Sequence, residues 1–254
     1  MELQRNAFKA GLAEGRTQIG LWSSLCSNIV AEILGDCGFD WILLDTEHSP
    51  NELPGLVSQM QALARGTATP IVRPAWNDAV LIKRILDAGA QSLLIPFVQN
   101  EAEARAAVAA TRYPPEGIRG ITTSGRAARF GRVPNYLKTA ASQICLLVQV
   151  ETEAALNDIE AIASVEGIDG VFIGPSDLSA SLGHLGNSAH PVVQDAMRDA
   201  VTRLTKLGKP AGILTSNEAE ARRYLEWGYR FVAVGSDLGV LTRNADALAK
   251  AFKS

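Results

Sequence analysis

Two short apolar runs, separated by a helix-length segment, constrain the fold of this chain more than any other feature. The runs Cys145–Val150 and Val171–Ile173 each lead into an acidic residue, Glu151 after the first and Asp177 after the second. The segment 152–165 between them carries apolar residues at roughly helical spacing. A strand–helix–strand unit has a right-handed crossover and parallel strands. We therefore expect both carboxylates at one end of a parallel sheet.

Two carboxylates at the carboxyl edge of parallel strands suit an oxygen-ligand site for a divalent cation. A second interpretation is structural, with Glu151 opening a helix and Asp177 acting as an N-cap. The turn Gly174–Ser176 before Asp177 carries no large side chain and leaves backbone N–H groups free for an anion. This turn favours a cation site with an anion site beside it.

Length and composition indicate one globular domain that spans residues 1–254. About 250 residues is typical of a single (β/α)8 barrel. A hydrophobic content of 47% and a charged content of 20% indicate a full core. The net charge of −3 argues against a nucleic-acid partner and against an anionic membrane surface. The composition therefore favours a small-molecule partner.

The cysteines and the N-terminal segment bear on location. Cys26, Cys37 and Cys145 show no metal-ligand spacing, so we expect buried thiols in a reducing compartment. The first fifteen residues lack the apolar centre of a signal peptide, and no apolar run of about 18 residues occurs. These features predict a cytoplasmic protein.

Strand and helix candidates alternate along the whole chain. The predicted strands are 18–22, 40–45, 71–74, 92–96, 145–150, 171–173, 211–214 and 231–235. The predicted helices are 1–15, 25–34, 53–64, 78–88, 101–112, 152–165, 191–206, 218–226 and a last helix toward Lys250. Eight such repeats at this length predict an α/β fold with a single closed (β/α)8 barrel, the TIM barrel. No GxGxxG motif follows the first strand, which disfavours a dinucleotide-binding sheet.

Two connections are longer than barrel turns require, and such loops are usually functional or disordered. The connection 113–143 is rich in Pro and Gly, with arginines in or beside it at positions 112, 119, 126, 129 and 132. These arginines fit an anionic substrate tail or partner, and equally a solvated surface or subunit contact. We predict that the connection 179–191 is a flexible loop at the rim, and that His184 and His190 are polar surface residues and not ligands.

Polar and charged residues follow the predicted strands where catalytic residues of such barrels lie. They are Trp22 and Ser23, Asp45, Glu47 and His48, Arg73, Gln149 and Glu151, Ser176 and Asp177, and Leu214 at the end of the seventh strand. A purely structural barrel needs no such cluster.

His48 is the natural general acid or base, because an ordinary histidine titrates near neutral pH. Its orienting carboxylate is either Asp45 or Asp87. Arg73 ends a buried strand, where an unpaired guanidinium is costly. Its partner is a substrate carboxylate or developing enolate, or else a structural salt bridge to Asp45 or Asp87.

If Arg73 stabilises an enolate in carbon–carbon bond formation, the site also needs either a lysine that forms a Schiff base or a metal ion. None of the seven lysines lies on an apolar strand where burial could lower its pKa. The sequence therefore favours a metal ion.

Five segments carry a family resemblance. They are LLDTEHSPN at 43–51, VRPAWND at 72–78, RYPPEGIRG at 112–120, VQVET at 148–152 and DGVFIGPSDLS at 169–179. In this order they resemble the HpcH/HpaI family of metal-dependent class II pyruvate aldolases, typified by 4-hydroxy-2-oxoheptanedioate aldolase. The resemblance implies a (β/α)8 barrel of the phosphoenolpyruvate/pyruvate-domain type that binds Mg2+, Mn2+ or Co2+.

The resemblance also implies roles for individual residues. Glu151 and Asp177 look like the metal ligands, with the 2-oxo acid chelating the metal. The substrate contacts it implies are Gln149, Gly174, Ser176, Asp177, Leu214 and Trp22. His48, with Asp45 beside it, looks like the proton acceptor, Arg73 like the group that steadies the enolate, and Asp87 like the carboxylate that raises the basicity of the histidine.

Family members commonly form hexamers built from trimers, with the C-terminal helix packed on a neighbour, and Leu238–Phe252 matches that helix. The segment ITTSGRAARFGR after residue 120 is less family-like. Arg126 or Arg129 is therefore a candidate contact for an acid tail of the aldehyde, the alternative being an uncharged hydroxyaldehyde.

The leading hypothesis is reversible aldol cleavage of a 4-hydroxy-2-oxo acid into pyruvate, or hydroxypyruvate, and an aldehyde. A second hypothesis is an acyl-CoA lyase like the citrate lyase β-subunit or malyl-CoA lyase. That enzyme needs a basic CoA surface, for which the arginines of 113–143 are the only candidate. A non-catalytic keto-acid-binding barrel is the third hypothesis.

Overall fold

The computed structural model describes residues 1–253 and shows a closed barrel in which strands consecutive in sequence are neighbours in space. The strands are β1 Gln18–Ser23, β2 Trp41–Asp45, β3 Thr69–Arg73, β4 Ser92–Ile95, β5 Cys145–Val150, β6 Gly170–Ile173, β7 Ala211–Leu214 and β8 Phe231–Ser236. All eight pairings are parallel. The predicted (β/α)8 barrel is confirmed. Only Ser254 of the predicted domain lies outside the described residues.

Twelve helices accompany the strands within residues 1–253. They are α1 Ala7–Ala13, α2 Asn28–Gly35, α3 Leu53–Leu63, α4 Ala79–Asp87, α5 Glu101–Thr111, α6 Tyr136–Gln143, α7 Glu153–Asn157, α8 Ile159–Ser164, α9 Pro175–Ser181, α10 Pro191–Lys206, α11 Glu218–Trp227 and α12 Asp237–Lys253. No helix in this part of the chain combines the length and the apolar character needed to cross a membrane.

The strands lie where the apolar runs predict them because parallel strands covered on both faces bury every residue. All residues of β2, β4, β5 and β6 are buried. In the β5–β6 ladder Val150 lies opposite Ile173, so Glu151 and Gly174 leave the sheet at the same rim. We call the rim formed by the carboxyl ends of the strands the mouth.

Aromatic side chains fill the interior of the barrel, and α1 closes its amino end. Phe8 of α1 packs edge-on against Trp41 and Phe231, with ring centroids 6.0 and 5.8 Å away. Gly20 makes room for this layer, because a Cβ there would lie 2.2 Å from the Trp41 ring. The interior of the barrel is therefore filled at the amino end, and it opens at the mouth.

The predicted helix 152–165 is instead two short helices, α7 and α8. The chain breaks at Asp158, which ends α7 and whose carboxylate accepts a hydrogen bond from the backbone N–H of Glu101 at 3.1 Å. Asp favours such side-chain-to-backbone bonds over a continuous helix. The prediction of one helix there was wrong.

The two long connections also differ from their predictions. The connection 113–143 contains a 3₁₀ turn, Arg126–Ala128, and helix α6, both of which the Pro and Gly content conceals. The connection 179–191 begins inside α9, whose start is set by Pro175 in its first turn. Its two histidines stack on each other, with ring centroids 3.5 Å apart.

The connection 113–143 leads from the end of α5 to the start of β5, so it lies at the amino end of the barrel. Arg126 contacts the α4–β4 turn there, donating from Nη1 to the carbonyl oxygen of Ala88 at 2.7 Å. Within one chain, Arg126 and Arg129 therefore lie at the end opposite the mouth. The interpretation that they contact the aldehyde there does not hold for a single chain.

The three cysteines are free thiols, but they are not uniformly buried. Cys145 is buried in β5, whereas Cys37 is exposed after α2 and Cys26 is half-buried. The expectation of buried thiols was wrong for Cys37, because the turn after α2 faces outward.

Candidate functional site

Glu151 is the most enclosed carboxylate at the mouth, with 3% of its surface exposed. The backbone N–H of Phe97 donates to its Oε1 at 2.9 Å, and the Gln149 side chain donates from Nε2 to its Oε2 at 2.6 Å. Gly174 makes this position possible, because a Cβ there would lie 2.5 Å from Oε2. The carboxylate is thus held by two donors and one glycine.

The pKa of Glu151 is raised to about 7. Burial is the main cause, and the negative charge of the Asp177 carboxylate adds to it. The Phe97 N–H and the Arg73 guanidinium oppose this rise without cancelling it. A positive charge placed beside Glu151 and Asp177 would relieve the repulsion.

Asp177 lies in the first turn of α9 and is exposed. The N-cap of that helix is Gly174, so the alternative that Asp177 is an N-cap was wrong. The alternative that Glu151 merely opens a helix was also wrong, because Thr152 caps α7 by accepting from the N–H of Ala155 at 3.2 Å. Both carboxylates are left without a capping role.

Arg73 ends β3 in a fork-to-fork contact with Asp45. Its Nε and Nη2 donate to the two Asp45 oxygens at 2.9 and 2.7 Å, and Nη1 lies 2.9 Å from Glu47 Oε2. The Nη1 contact to Glu47 is an ion pair without hydrogen-bond alignment. The guanidinium also lies over the Trp22 ring, 4.9 Å from its centroid. The salt bridge to Asp45, one of the two structural alternatives, is therefore present.

The two carboxylates around Arg73 respond differently to it. Burial acts to raise the pKa of Asp45, but the Arg73 hydrogen bonds and charge outweigh it and lower that pKa below its usual value. Burial raises the pKa of Glu47 despite Arg73. Asp45 is therefore the fixed counterion of Arg73, whereas Glu47 takes up a proton more readily than an ordinary glutamate.

His48 is exposed at the mouth, with 70% of its side chain accessible. Its Nε2 lies 3.9 Å from Glu47 Oε1, and the Asp45 side chain contacts only its backbone N–H, at 3.5 Å. Asp87 accepts from Arg119 Nη2 at 2.7 Å at the far end of α4. The structure therefore brings His48 to Glu47, and it brings neither Asp45 nor Asp87 to the imidazole within one chain.

The remaining predicted contacts line the same mouth. Gln149 Oε1 is buried and has no hydrogen-bond partner among the described residues. Leu214 packs against the aromatic layer that includes Trp22, and a cavity of about 370 Å³ beside it is lined by Ser176 and other hydroxyl-bearing residues. The mouth thus offers apolar contact, hydroxyl groups and one unused acceptor.

The sequence assigns no role to two contributors to the site. Glu47 belongs to the predicted polar cluster, but the sequence gives no reason to prefer it over Asp45 or Asp87 as the carboxylate nearest the His48 ring. Phe97 acts through its backbone, which adopts a left-handed φ of 53° that is uncommon for a bulky residue. No sequence pattern indicates this conformation.

The donor set at the mouth fits a divalent cation. The Arg73 guanidinium pairs with Asp45 and Glu47, and within the described residues neither Glu151 nor Asp177 has an ion-pair partner. No group of three or more His, Cys, Asp or Glu side chains in residues 1–253 is arranged to hold a metal. Mg2+ is commonly held by one or two carboxylates, with the other ligands coming from water and substrate.

The closed barrel and its charged mouth are those of an α/β-barrel enzyme. The family model described as HpcH/HpaI aldolase/citrate lyase matches residues 18–244. A pyruvate aldolase of Rhizobium etli is 56% identical over 99% of both chains, and a 4-hydroxy-2-oxo-heptane-1,7-dioate aldolase of Klebsiella pneumoniae is 55% identical over 97% of this chain and 94% of its own. A crystal structure of an HpcH/HpaI aldolase/citrate lyase family protein from Burkholderia cenocepacia superposes with a TM-score of 0.95 at 39% identity, covering 98% of this chain and 100% of its own. The chain belongs to the HpcH/HpaI aldolase/citrate lyase family, whose aldolases typically depend on a divalent metal ion.

Proposed function

We propose that this protein catalyses the reversible aldol cleavage of 4-hydroxy-2-oxo acids, giving pyruvate or hydroxypyruvate and an aldehyde. The observation that carries this proposal is the charge pattern of the mouth, where Glu151 and Asp177 have no ion-pair partner among residues 1–253, although the buried Arg73 lies at the same mouth. The names of relatives more than half identical to the chain support the same reaction.

The cation proposed for Glu151 and Asp177 is Mg2+, Mn2+ or Co2+, because two carboxylates form a hard oxygen-donor set. When bound, the cation polarises the keto group and stabilises negative charge on its oxygen. Gln149 holds Glu151 in place from one side, and the Phe97 N–H holds it from the other. These contacts fix the ligand oxygen before the substrate arrives.

Arg73 is proposed to stabilise the enolate. A guanidinium has five N–H groups, and the two hydrogen bonds to Asp45 use two of them. The other three form no hydrogen bond within residues 1–253 and are available to the oxygen on C2, where negative charge collects as the C3–C4 bond breaks. Because Asp45 holds the guanidinium in a rigid fork, this donor needs no reorganisation during the reaction.

Cleavage also requires removal of the proton from the C4 hydroxyl. The bonding electrons of C3–C4 then form the C2–C3 double bond of the enolate, C4 becomes the aldehyde carbonyl, and C3 is later protonated. His48 is proposed to accept the hydroxyl proton, with Glu47 as the nearest carboxylate to its ring. In the synthetic direction the same groups act in reverse order.

A role for Asp87 or for the arginines of 113–143 in this reaction requires another copy of the chain, because both lie away from the mouth of their own barrel. The same holds for the acyl-CoA lyase alternative. Its only candidate for a basic CoA surface, the arginines of 113–143, does not lie beside the mouth of its own chain.

We also propose that the protein is a homo-oligomer, with the hexamer as the expected form, in which α12 packs on a second copy. Asp237 is the only buried residue among the described residues of α12. Leu241, Leu248 and Phe252 are 56, 64 and 85% exposed. An exposed apolar face of this extent on a terminal helix fits a contact between copies.

Deuterium exchange at the methyl group of pyruvate tests the proposed reaction, because it needs enolate formation but no aldehyde. We expect exchange with added Mn2+, read by mass spectrometry, and its loss on adding EDTA or in Glu151→Gln. Glu153→Gln, an exposed neighbour on α7, is the matched control and should exchange normally. Tight pyruvate binding without exchange would instead support a keto-acid-binding barrel.

A further inference from the structure

A second cavity lies at the amino end of the barrel, opposite the mouth. Its volume is about 360 Å³, within the range of small-molecule pockets. The 3₁₀ turn Arg126–Ala128, the α4–β4 turn at Gly89 and the start of α6 at Tyr136 form its walls. It therefore shares no lining residue with the proposed active site.

The charge of this cavity is unusual for a chain with a net charge of −3. Arg126, Arg129 and Arg132 line it, and no Asp or Glu is among the described residues that do so. Within residues 1–253 none of these three guanidiniums forms an ion pair with a carboxylate. Three uncompensated positive charges around one cavity create a local attraction for anions.

Arg126 is built into the wall. Its Nη1 donates to the carbonyl oxygen of Ala88 at 2.7 Å, and Gly89 admits it, because a Cβ there would lie 2.5 Å from Nη1. Burial lowers the pKa of Arg126, and the neighbouring Arg129 lowers it further. Arg126 and Arg129 line the same cavity, so an anion bound between them would offset the repulsion of their like charges.

The backbone beside these arginines adopts an unfavourable conformation. Arg129 and Phe130 both have a left-handed φ, 48° and 58°, although neither is glycine. Strained residues of this kind persist where the surrounding structure requires them, often at ligand sites. Arg129 and Phe130 both line the cavity wall.

We propose that this cavity binds a small oxyanion carrying two or more negative charges, either a phosphate group or a dicarboxylate, between Arg126 and Arg129. Guanidinium groups bind both kinds of oxyanion through paired charge-assisted hydrogen bonds. The exposed ring of Phe130 and the half-buried Tyr136 add an apolar edge that suits the carbon skeleton of a dicarboxylate. The proposal does not depend on the reaction at the mouth.

The test is a titration of the metal-free full-length protein with inorganic phosphate and, separately, with succinate. Ionic strength is held constant with NaCl, and binding is read by calorimetry and by thermal unfolding. We expect saturable binding that Arg129→Gln weakens at least roughly tenfold, the change that one charge-assisted hydrogen bond carries. Arg129 is exposed, and among residues 1–253 its side chain makes no hydrogen bond or ion pair that this change would remove, so the variant should fold.

Arg198→Gln is the matched control. It removes the same charge from an exposed guanidinium elsewhere on the surface that likewise has no carboxylate partner in the described part of the chain. Its affinity should equal that of the unaltered protein, and pyruvate should not compete with the anion. Saturable binding of either anion with this pattern supports the proposal, and the tighter anion identifies the source. Binding that does not saturate, that Arg129→Gln leaves unchanged, or that pyruvate displaces would overturn it.

Discussion

At the scale of single residues, the site depends on two charged side chains whose surroundings act in opposite directions. Asp45 is stabilised as a carboxylate by Arg73, whereas the Asp177 charge raises the pKa of Glu151, which has no ion-pair partner in the part of the chain that the structure describes. The contact with Asp45 fixes the Arg73 guanidinium, a hydrogen-bond donor, in one position. The repulsion between the Glu151 and Asp177 carboxylates is unfavourable, and a bound cation can relieve it.

Glu151 should make the metal-free protein less stable as the pH rises. Its pKa is about 7 in the folded chain and near 4.5 when unfolded, so the folded state binds more protons between these values. The stability associated with protonated Glu151 is fully present below pH 4.5 and is lost as the pH rises through about 7, amounting to about 3 kcal/mol. Denaturant unfolding of the EDTA-treated protein at pH 5 and pH 8 measures it.

Glu151→Gln should remove most of that pH dependence, since Gln does not titrate. Glu153→Gln should keep it. An equal pH dependence in all three proteins would mean that other groups cause it.

Arg73→Lys should slow pyruvate proton exchange by roughly 10²–10³-fold, because Lys keeps the charge but cannot reproduce the fork held by Asp45. The exchange rate at saturating pyruvate is the measurement. Arg105→Lys, which alters an exposed i,i+4 pair with Glu101 on α5, is the control and should change the rate little. Unaltered exchange in Arg73→Lys would remove the guanidinium from the reaction.

At the scale of elements, short helices and turns position the chemistry. The start of α9 brings Asp177 to the mouth, and the turn after β4 aims the Phe97 N–H at Glu151. Helix α12 does the reverse and presents apolar residues away from its own barrel. Some elements of the chain thus position side chains of the site, while α12 presents an apolar surface to the proposed second copy of the chain.

Removing residues 241–254 should convert the assembled protein into a smaller species. The truncation takes away Leu241, Leu248 and Phe252 but leaves Asp237, which accepts hydrogen bonds from the Ser23 side chain and the Ser24 N–H at 2.9 Å. The barrel should therefore stay folded. Light scattering after size exclusion, with circular dichroism as the check on folding, measures the outcome, and an unchanged mass would argue against α12 as the contact.

At the scale of the whole molecule, the barrel has chemically distinct ends. The amino end is closed by α1 and carries the arginine-lined cavity, whereas the mouth is acidic. A cation that binds only the folded mouth stabilises the entire fold, because unfolding must release it.

Mn2+ at about 100 times its dissociation constant should stabilise the protein by about 2.7 kcal/mol, which raises the melting temperature by roughly 5–10 °C for a chain of this size. Differential scanning calorimetry of the EDTA-treated protein, with and without Mn2+, measures the shift. The rise should vanish in Glu151→Gln and persist in Glu153→Gln. A shift of equal size in both variants would place the ion elsewhere.

The sequence by itself determined the barrel and the rim at which Glu151, Asp177, Arg73 and His48 lie. The period of apolar residues along the chain reports burial, and parallel strands bring their carboxyl ends to one side. The period of apolar residues did not predict the break at Asp158 or helix α6, because polar and turn residues interrupt it there.

Only the tertiary structure decided which side chains meet. Phe97 reaches Glu151 across 54 positions and Arg73 reaches Asp45 across 28, while Asp87 pairs with Arg119 instead of His48. These contacts follow from how strands and helices stack, and from a left-handed backbone that no local pattern encodes. For the same physical reason, the arginines of 113–143 lie around a cavity at the far end of the barrel.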